Sequence, residues 1–294
     1  MILLTGPTGN TGREILRLAS EAGLPLRCMS SRPSTVDELG AQGISTVLGN
    51  FDQPETLDQA LAGVEKAYLV CRPDQHLETR ERNFIDAAAR AGVKHLVKLS
   101  AFWAAPGSES PNLDAHGRVE EHLRESGVPF TILRPHGFFQ TFFWMSAPTI
   151  QAQGAMAVPA GQGIAPLLDL RDVAQAAFNA LSDDSHIGKT YDLTGPEALS
   201  MADMASQLGD AMGRPIQYVD MPEEQLIGGM KMMGVADSSI QHVATVFRWI
   251  REGKSEEISD GLQALGVTPR HWKDCAADLV AGRTGAATSF EPPA

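Results

Sequence analysis

Three glycines stand at every third position near the start of the chain: Gly6, Gly9 and Gly12, in the run TGPTGNTG, Thr5 to Gly12. The apolar run Met-Ile-Leu-Leu precedes them and a stretch of helical period follows. Strand, glycine turn and helix in that order form a phosphate-binding loop. Gly6 permits the tight turn, Gly9 lets backbone approach a pyrophosphate, and Gly12 lets the helix pack close. The second apolar run ends R-C-M-S-S-R-P, Arg27 to Pro33. A site for an unphosphorylated ribose places an Asp or Glu there to take the 2′-hydroxyl. No acid occurs here, and Arg32 stands in its place beside Ser30 and Ser31. A guanidinium with two hydroxyls suits a 2′-phosphate, which an acid would repel. The expected cofactor is NADP(H) and not NAD(H).

A second group of residues suits flat organic molecules. The stretch HGFFQTFFW, His136 to Trp144, follows Arg134-Pro135, and Phe102 and Trp103 follow an earlier apolar run. Phe102, Trp103, Phe138, Phe139, Phe142, Phe143 and Trp144 are candidate walls of an aromatic cleft. Such rings are more often core than pocket, so only their clustering favours the cleft. His136 and His116 are candidate proton donors, because imidazole titrates near neutrality. The eight histidines show no HExxH pairing, so no metal site is expected. No GxSxG occurs, which sets aside a serine hydrolase built on Ser100.

These residues need a scaffold that puts them at one end of a sheet. Apolar runs Ile2–Thr5, Leu26–Ser30, Ser45–Leu48, Ala67–Val70, His95–Ser100 and Phe130–Leu133 alternate with helical stretches such as Arg13–Ala22 and Asn83–Ala91. Gly23, Gly92 and Gly127 follow three of the helices, where a left-handed residue is wanted. Alternating strands and helices imply βαβ units and a parallel sheet. Residues 154–166, rich in Gly, Ala and Pro, suggest loops with a short strand, and helices are expected at Met201–Met212, Glu223–Met232 and Gln241–Arg251. The expected fold is α/β, a Rossmann-like doubly wound parallel sheet with a smaller C-terminal α/β part over the substrate. The sheet domain spans 1–135, with 166–182 returning to it, and the smaller part spans 136–294. The tail from Gly282 to Ala294 is expected to fray.

Composition narrows the partners. The chain has 294 residues and a formal net charge of -12. So acidic a surface repels nucleic acid and anionic membranes. Cys28, Cys71 and Cys275 are far apart and suit neither a zinc site nor a disulfide framework. Reduced thiols point to the cytoplasm, and no apolar run is long enough to span a membrane. A monomer or a homodimer is expected, since the helical spacing of Val243, Val246, Phe247 and Ile250 fits a core face or a dimer face equally.

Taken together, TGPTGNTG, SSRP, GNFDQPETLDQALAGVEKAYLV, AGVKHLVKLSA, SGVPFTILRPHGFF and YDLTGPEALS resemble the NmrA-like group of atypical short-chain dehydrogenases. The resemblance runs to about Gly282. It implies NADPH-dependent reduction of quinones, triphenylmethane dyes, imines or enones. Alternatively, it implies a sensor that binds NADP(H), regulates a protein partner and turns nothing over. By resemblance, Thr8, Asn10 and Thr11 fill the variable places of the phosphate loop, and Phe51 and Asp52 lie near adenine. Val70, Cys71 and Arg72 end the fourth strand beside the cofactor. Ser100 lies level with the nicotinamide, and Pro135, His136, Gly137 and Phe138 form a turn bordering it and the substrate. One feature departs from the wider dehydrogenase pattern, the YxxxK pair. Its Lys position is His116, its Tyr position is Asn112, and no tyrosine lies between Tyr68 and Tyr191. The candidate catalytic residues are therefore His116, Ser100 and His136. Quinones, cationic dyes and iminium ions are strong hydride acceptors that need little acid help, so the gap is compatible with a reductase.

Overall fold

The computed structural model describes residues 1–283. The first half alternates β1 (Ile2–Thr5), α1 (Asn10–Glu21), β2 (Leu26–Ser30), α2 (Pro33–Ala41), β3 (Ser45–Leu48), α3 (Glu55–Ala60), β4 (Lys66–Leu69), α4 (Leu77–Ala91), β5 (His95–Leu99), α5 (Pro111–Glu125) and β6 (Phe130–Pro135). There follow α6 (Phe139–Gln153), β7 (Ala155–Val158), β8 (Ile164–Ala165), α7 (Leu170–Ser182), β9 (Lys189–Leu193), β10 (Leu199–Ser200), α8 (Met201–Met212) and β11 (Gln217–Asp220). The chain then runs through α9 (Glu223–Met232), α10 (Asp237–Arg251), α11 (Gly261–Ala264) and α12 (Trp272–Val280).

Seven parallel strands form the main sheet in the order β3-β2-β1-β4-β5-β6-β9. The chain winds outward from β1 in one direction, then restarts at β4 and winds in the other. Loops leaving β1 and β4 therefore diverge and open a crevice at the C-terminal ends of the strands. Alternation along each strand feeds two cores. Ile2 and Leu4 pack with Ile15 of α1 and Val173 of α7 on one face. Leu3 packs with Phe84 of α4 and Val119 and Leu123 of α5 on the other. In α1 the buried residues Thr11, Ile15 and Ala19 recur every four positions, the stripe a sheet-facing helix needs. The helix ends expected at Gly23, Gly92 and Gly127 are observed, with φ of +64°, +69° and +75°.

The return to the sheet is longer than 166–182. Helix α7 packs on α1, β9 then pairs with β6 from Thr131↔Lys189 to Pro135↔Leu193, and α11 covers β9. The remaining C-terminal elements build a third core, centred on Trp272, Met204, Leu208, Phe247 and Phe139. The buried Trp272 Nε1 donates to the Met204 carbonyl at 2.9 Å. Two small sheets, β7 with β11 and β8 with β10, complete this part. Of the tail expected to fray from Gly282 to Ala294, the part beyond Arg283 lies outside the described residues.

One expectation for the aromatic stretch is corrected here. It forms the start of α6, and a helix divides consecutive rings between faces. Phe139 is 1% exposed and packs on Trp272 with ring centroids 5.2 Å apart, inside the third core and away from any cavity. Phe143 packs against the same core. Phe138, Thr141, Phe142 and Met145 line a cleft, with Phe142 and Met145 standing between it and the same core. Phe139→Ala should therefore cost about 3–5 kcal/mol of unfolding free energy, the penalty for emptying an aromatic core position. Denaturant titration checks this, and a loss below about 1 kcal/mol would return Phe139 to the surface of the cleft.

Candidate active site

The glycine loop closes on itself. Gly6 has φ +60°, and Gly9 N–H donates to the Gly6 carbonyl at 3.0 Å. A Cβ at Gly12 would lie 2.0 Å from Gly6 O, so the close approach made by Gly12 is to the turn before its helix. Gly9 caps α1 without a side-chain hydrogen bond. The first N–H groups of α1, with their partial positive charge, are thus left for an anion in the crevice. This cradle fits a dinucleotide diphosphate. Thr5 Oγ1 accepts from Val70 N–H at 2.9 Å and so ties the ends of β1 and β4 across the switch point. Tyr68 is fully buried and its hydroxyl meets Thr11 Oγ1 at 3.1 Å, so it is not a proton donor to the crevice.

Two cavities run along the strand ends and share Gly6, Val70, Cys71 and Arg72. The first, about 510 Å³, is lined by Thr8, Ser30, Ser31, Arg32, Phe51 and Asp52 among others. Arg32 donates to Thr8 Oγ1 at 3.2 Å across its mouth. Asp52 is not a free charge there: Arg80 holds it at 2.8 Å and Asp74 at 2.7 Å. The Arg80 hydrogen bond keeps the Asp52 carboxyl below the usual carboxylate range.

The second cavity, about 560 Å³, contains Gly9, Asn10, Thr11, Ser100, Phe102, Trp103, His116, Pro135, His136, Gly137, Phe138 and Phe142 in its walls. Helix α10 roofs it with His242, Val243, Val246 and Phe247. The roof is fastened at both rims: Ser239 Oγ donates to the Pro73 carbonyl at 2.8 Å and Trp249 Nε1 to Glu109 at 2.7 Å. Rings meet edge-on around the wall, with Trp103 4.7 Å from Phe102 and 4.8 Å from His136.

The histidines differ in what they offer. His136 receives the Gly137 N–H on Nδ1 at 2.7 Å and meets Ser255 Oγ through Nε2 at 2.8 Å. Both nitrogens are occupied, and burial pushes the ring down to about 3. Its expected role as proton donor is therefore corrected, and it serves the cleft as an aromatic wall. His116 is placed differently. Its Nδ1 lies 3.1 Å from Lys98 Nζ, a group that only donates. Nδ1 must then accept, and the ring proton sits on Nε2. Burial, the Lys98 charge and His242 together hold His116 well below its ordinary value, so it is neutral. Ser100 gives its hydroxyl proton to Glu120 at 2.6 Å, leaving an acceptor oxygen at the cleft. Glu120 is fully buried and is also bound by Arg134.

Sequence reasoning missed this polar floor. Lys98 and Glu81 form an ion pair of 2.8 Å with both side chains fully buried. The available signal was a lysine inside the apolar run His95–Ser100. Among the expected wall residues, Phe143 and Trp144 do not line either cavity.

Known proteins resemble this chain in sequence and fold. The model of the NmrA-like family matches residues 1–267. The chain belongs to the NmrA-like family. Among its NmrA-like relatives, an NAD(P)H azoreductase from Xenophilus azovorans is 38% identical over 240 residues, which are 81% of this chain and 83% of that one. A (4-alkanoyl-5-oxo-2,5-dihydrofuran-3-yl)methyl phosphate reductase from Streptomyces griseus is 36% identical over 223 residues, 75% of this chain and 77% of the other. An NADPH-dependent quinone oxidoreductase from Escherichia coli, solved with NADPH, superposes with a TM-score of 0.85 at 27% identity, over 95% of this chain and 99% of that chain.

The neutral histidines of this NmrA-like site and its scaffold set a pH dependence. Burial lowers His95 to about 4, His136 to about 3 and His242 to about 4, and His116 is also depressed. The unfolded chain protonates all four below about pH 6.5, so stability is complete above that pH and is lost as pH falls towards the folded values. Asp172, raised to about 6 by burial, works in the opposite direction and offsets part of the loss. Urea denaturation should show about 3 kcal/mol less stability at pH 5.5 than at pH 7. A flat profile over that range would mean the rings are charged in the fold.

Proposed function

We propose that this chain is an NADPH-dependent reductase that delivers hydride to a flat, electrophilic small molecule such as a quinone, dye, imine, enone or azo compound. The observation that carries the reading is a continuous trough. It starts at a guanidinium and two serine hydroxyls, passes an uncapped helix N-terminus, and ends in a roofed cleft walled by rings. In this reading Gly6, Thr8, Gly9, Asn10, Thr11 and Gly12 hold the diphosphate, and Arg32 with Ser30 and Ser31 takes the 2′-phosphate. Phe51 and Asp52 flank adenine. Val70, Cys71, Arg72, Ser100, His116, Pro135, Gly137 and Phe138 border the nicotinamide. Reduced nicotinamide supplies the hydride when bound. The protein orients the acceptor against Phe102, Trp103, His136, Phe138 and Phe142, and keeps water out beneath α10.

The names of the relatives support this class, since each reduces a conjugated acceptor by its printed name. The placement of Arg32 at the open end of the first cavity, 3.2 Å from Thr8, supports NADPH over NADH. Consumption of NADPH with a panel of quinones, triphenylmethane dyes, cyclic imines, enones and azo dyes is the direct test, with NADH as control. Consumption with one class names the acceptor. Tight NADPH binding with no consumption across the panel overturns the reading in favour of a sensor. Arg32→Ala should weaken NADPH roughly ten- to a hundredfold, as loss of a charge-assisted contact does, and leave NADH almost unaffected. Equal losses for both cofactors would remove Arg32 from the 2′-phosphate site.

A further inference from the structure

The floor beneath His116 holds a charge that the binding of a dinucleotide does not require. Lys98 Nζ has three N–H groups and three partners: Glu81 Oε2 at 2.8 Å, the Leu99 carbonyl at 3.2 Å and His116 Nδ1 at 3.1 Å. An isolated buried ammonium is costly, and a pair of apolar residues would pack there at no electrostatic cost. His116 Nδ1 carries the ring's hydrogen bond to Lys98, and the ring itself lines the cleft. Its Nε2–H is the proton left to face an acceptor, and no tyrosine competes for that task in this wall.

We propose that Lys98 and His116 form a proton relay that replaces the missing tyrosine. This rests on the reductase reading above. When hydride from reduced nicotinamide reaches the acceptor, its electron pair leaves a negative charge on oxygen or nitrogen of the substrate. The Nε2 proton of His116 passes to that atom, the Nε2–H bond breaking as the new O–H or N–H bond forms. One N–H proton of Lys98 passes to Nδ1, so the imidazole ends neutral in the other tautomer. After product leaves, Nε2 takes a proton from solvent in the cleft and Nδ1 returns its proton to the buried Lys98 amine, which restores the ammonium and the starting tautomer. His116 is the catalytic residue, and Lys98 is a positioning residue that fixes its tautomer and backs its proton.

The acceptor's need for a proton gives the test. A cationic triphenylmethane dye becomes neutral on receiving hydride and needs no proton, whereas an enone becomes an enolate and does. The variants are His116→Phe and the double variant Lys98→Met with Glu81→Gln, which removes both charges so that neither is left unpaired. For both, the ratio of enone to dye turnover should fall roughly a hundredfold, the usual worth of a positioned acid. Equal losses on the two acceptors would overturn the relay. A second measurement needs no turnover and no cofactor. Imidazole ¹⁵N shifts should show His116 as the neutral Nε2–H tautomer, and the Lys98 double variant should lose that preference. Its pH course must be read beside the groups that act on the ring, namely Lys98 of β5 and His242 of α10, with Glu81 of α4 and Glu120 of α5 acting through Lys98. A wild-type His116 found as the Nδ1–H tautomer overturns the proposal even if the variants fail to fold. No NADPH consumption by the unaltered protein with any acceptor of the panel overturns the reductase reading itself, and the relay with it.

Discussion

A lysine ammonium buried in a central strand constrains much of this molecule. Removing Lys98 and Glu81 from water costs several kcal/mol per ion, and only close pairing with full donor satisfaction offsets it. The pair therefore requires α4 to present Glu81 and β5 to present Lys98 in one fixed register. It also requires a third partner for the ammonium, which α5 supplies as His116. The next strand residue on the same face, Ser100, meets the next helical turn of α5 at Glu120, and Glu120 is held by Arg134 of β6. A strip of polar contacts thus runs under the cleft from α4 to β6. Its residues are linked in pairs, and Glu81 is held by its ion pair with Lys98, with Oε1 left without a hydrogen-bond partner.

The same strip explains why the cleft has a polar floor and apolar walls. Side chains at Lys98 and Ser100 point to the α4/α5 face, where the polar partners are. Leu99 points the other way, into the core formed with α7. The walls come from turns beyond the strand ends and from α10. The roof carries hydrogen bonds at its rims, to Pro73 and Glu109, each worth about 1 kcal/mol, and it buries Ile240, Phe247 and Ile250 in the third core. The floor rests on an ion pair sealed from water.

The glycine loop, Arg32 and the six first strands were legible because their signals are local: a turn, a missing acid, an apolar run bounded by breakers. The family resemblance was legible from motifs spread along the chain. The division of the aromatic stretch was not, because nine residues of mixed rings do not state their period. Only the helix that begins at Phe139 sends Phe139 to Trp272, far along the chain, and Phe142 to the cleft. Lys98 was visible as an anomaly, but its meaning lies in partners on two separate helices. The loss of His136 as an acid depended on Ser255, 119 residues away, and no local pattern carries that.

The aromatic wall also depends on one unfavourable backbone. Trp103 has φ 61°, the one positive value at a non-glycine among the described residues. That conformation costs about 1–3 kcal/mol. Its ring meets Phe102, His136 and Trp249 of the roof, with centroids 4.7, 4.8 and 5.2 Å away. Each edge-on contact contributes about 0.5–1.5 kcal/mol, so three of them offset the strain. The indole consequently bridges the strand-end turns and α10, and it carries an aromatic surface from floor to roof. A flat acceptor placed against that surface would lie in a site with neutral histidines and few charges. Any negative charge formed on it there must be met by a proton or by a hydrogen bond, because an acceptor seated against those rings gives up its solvating water.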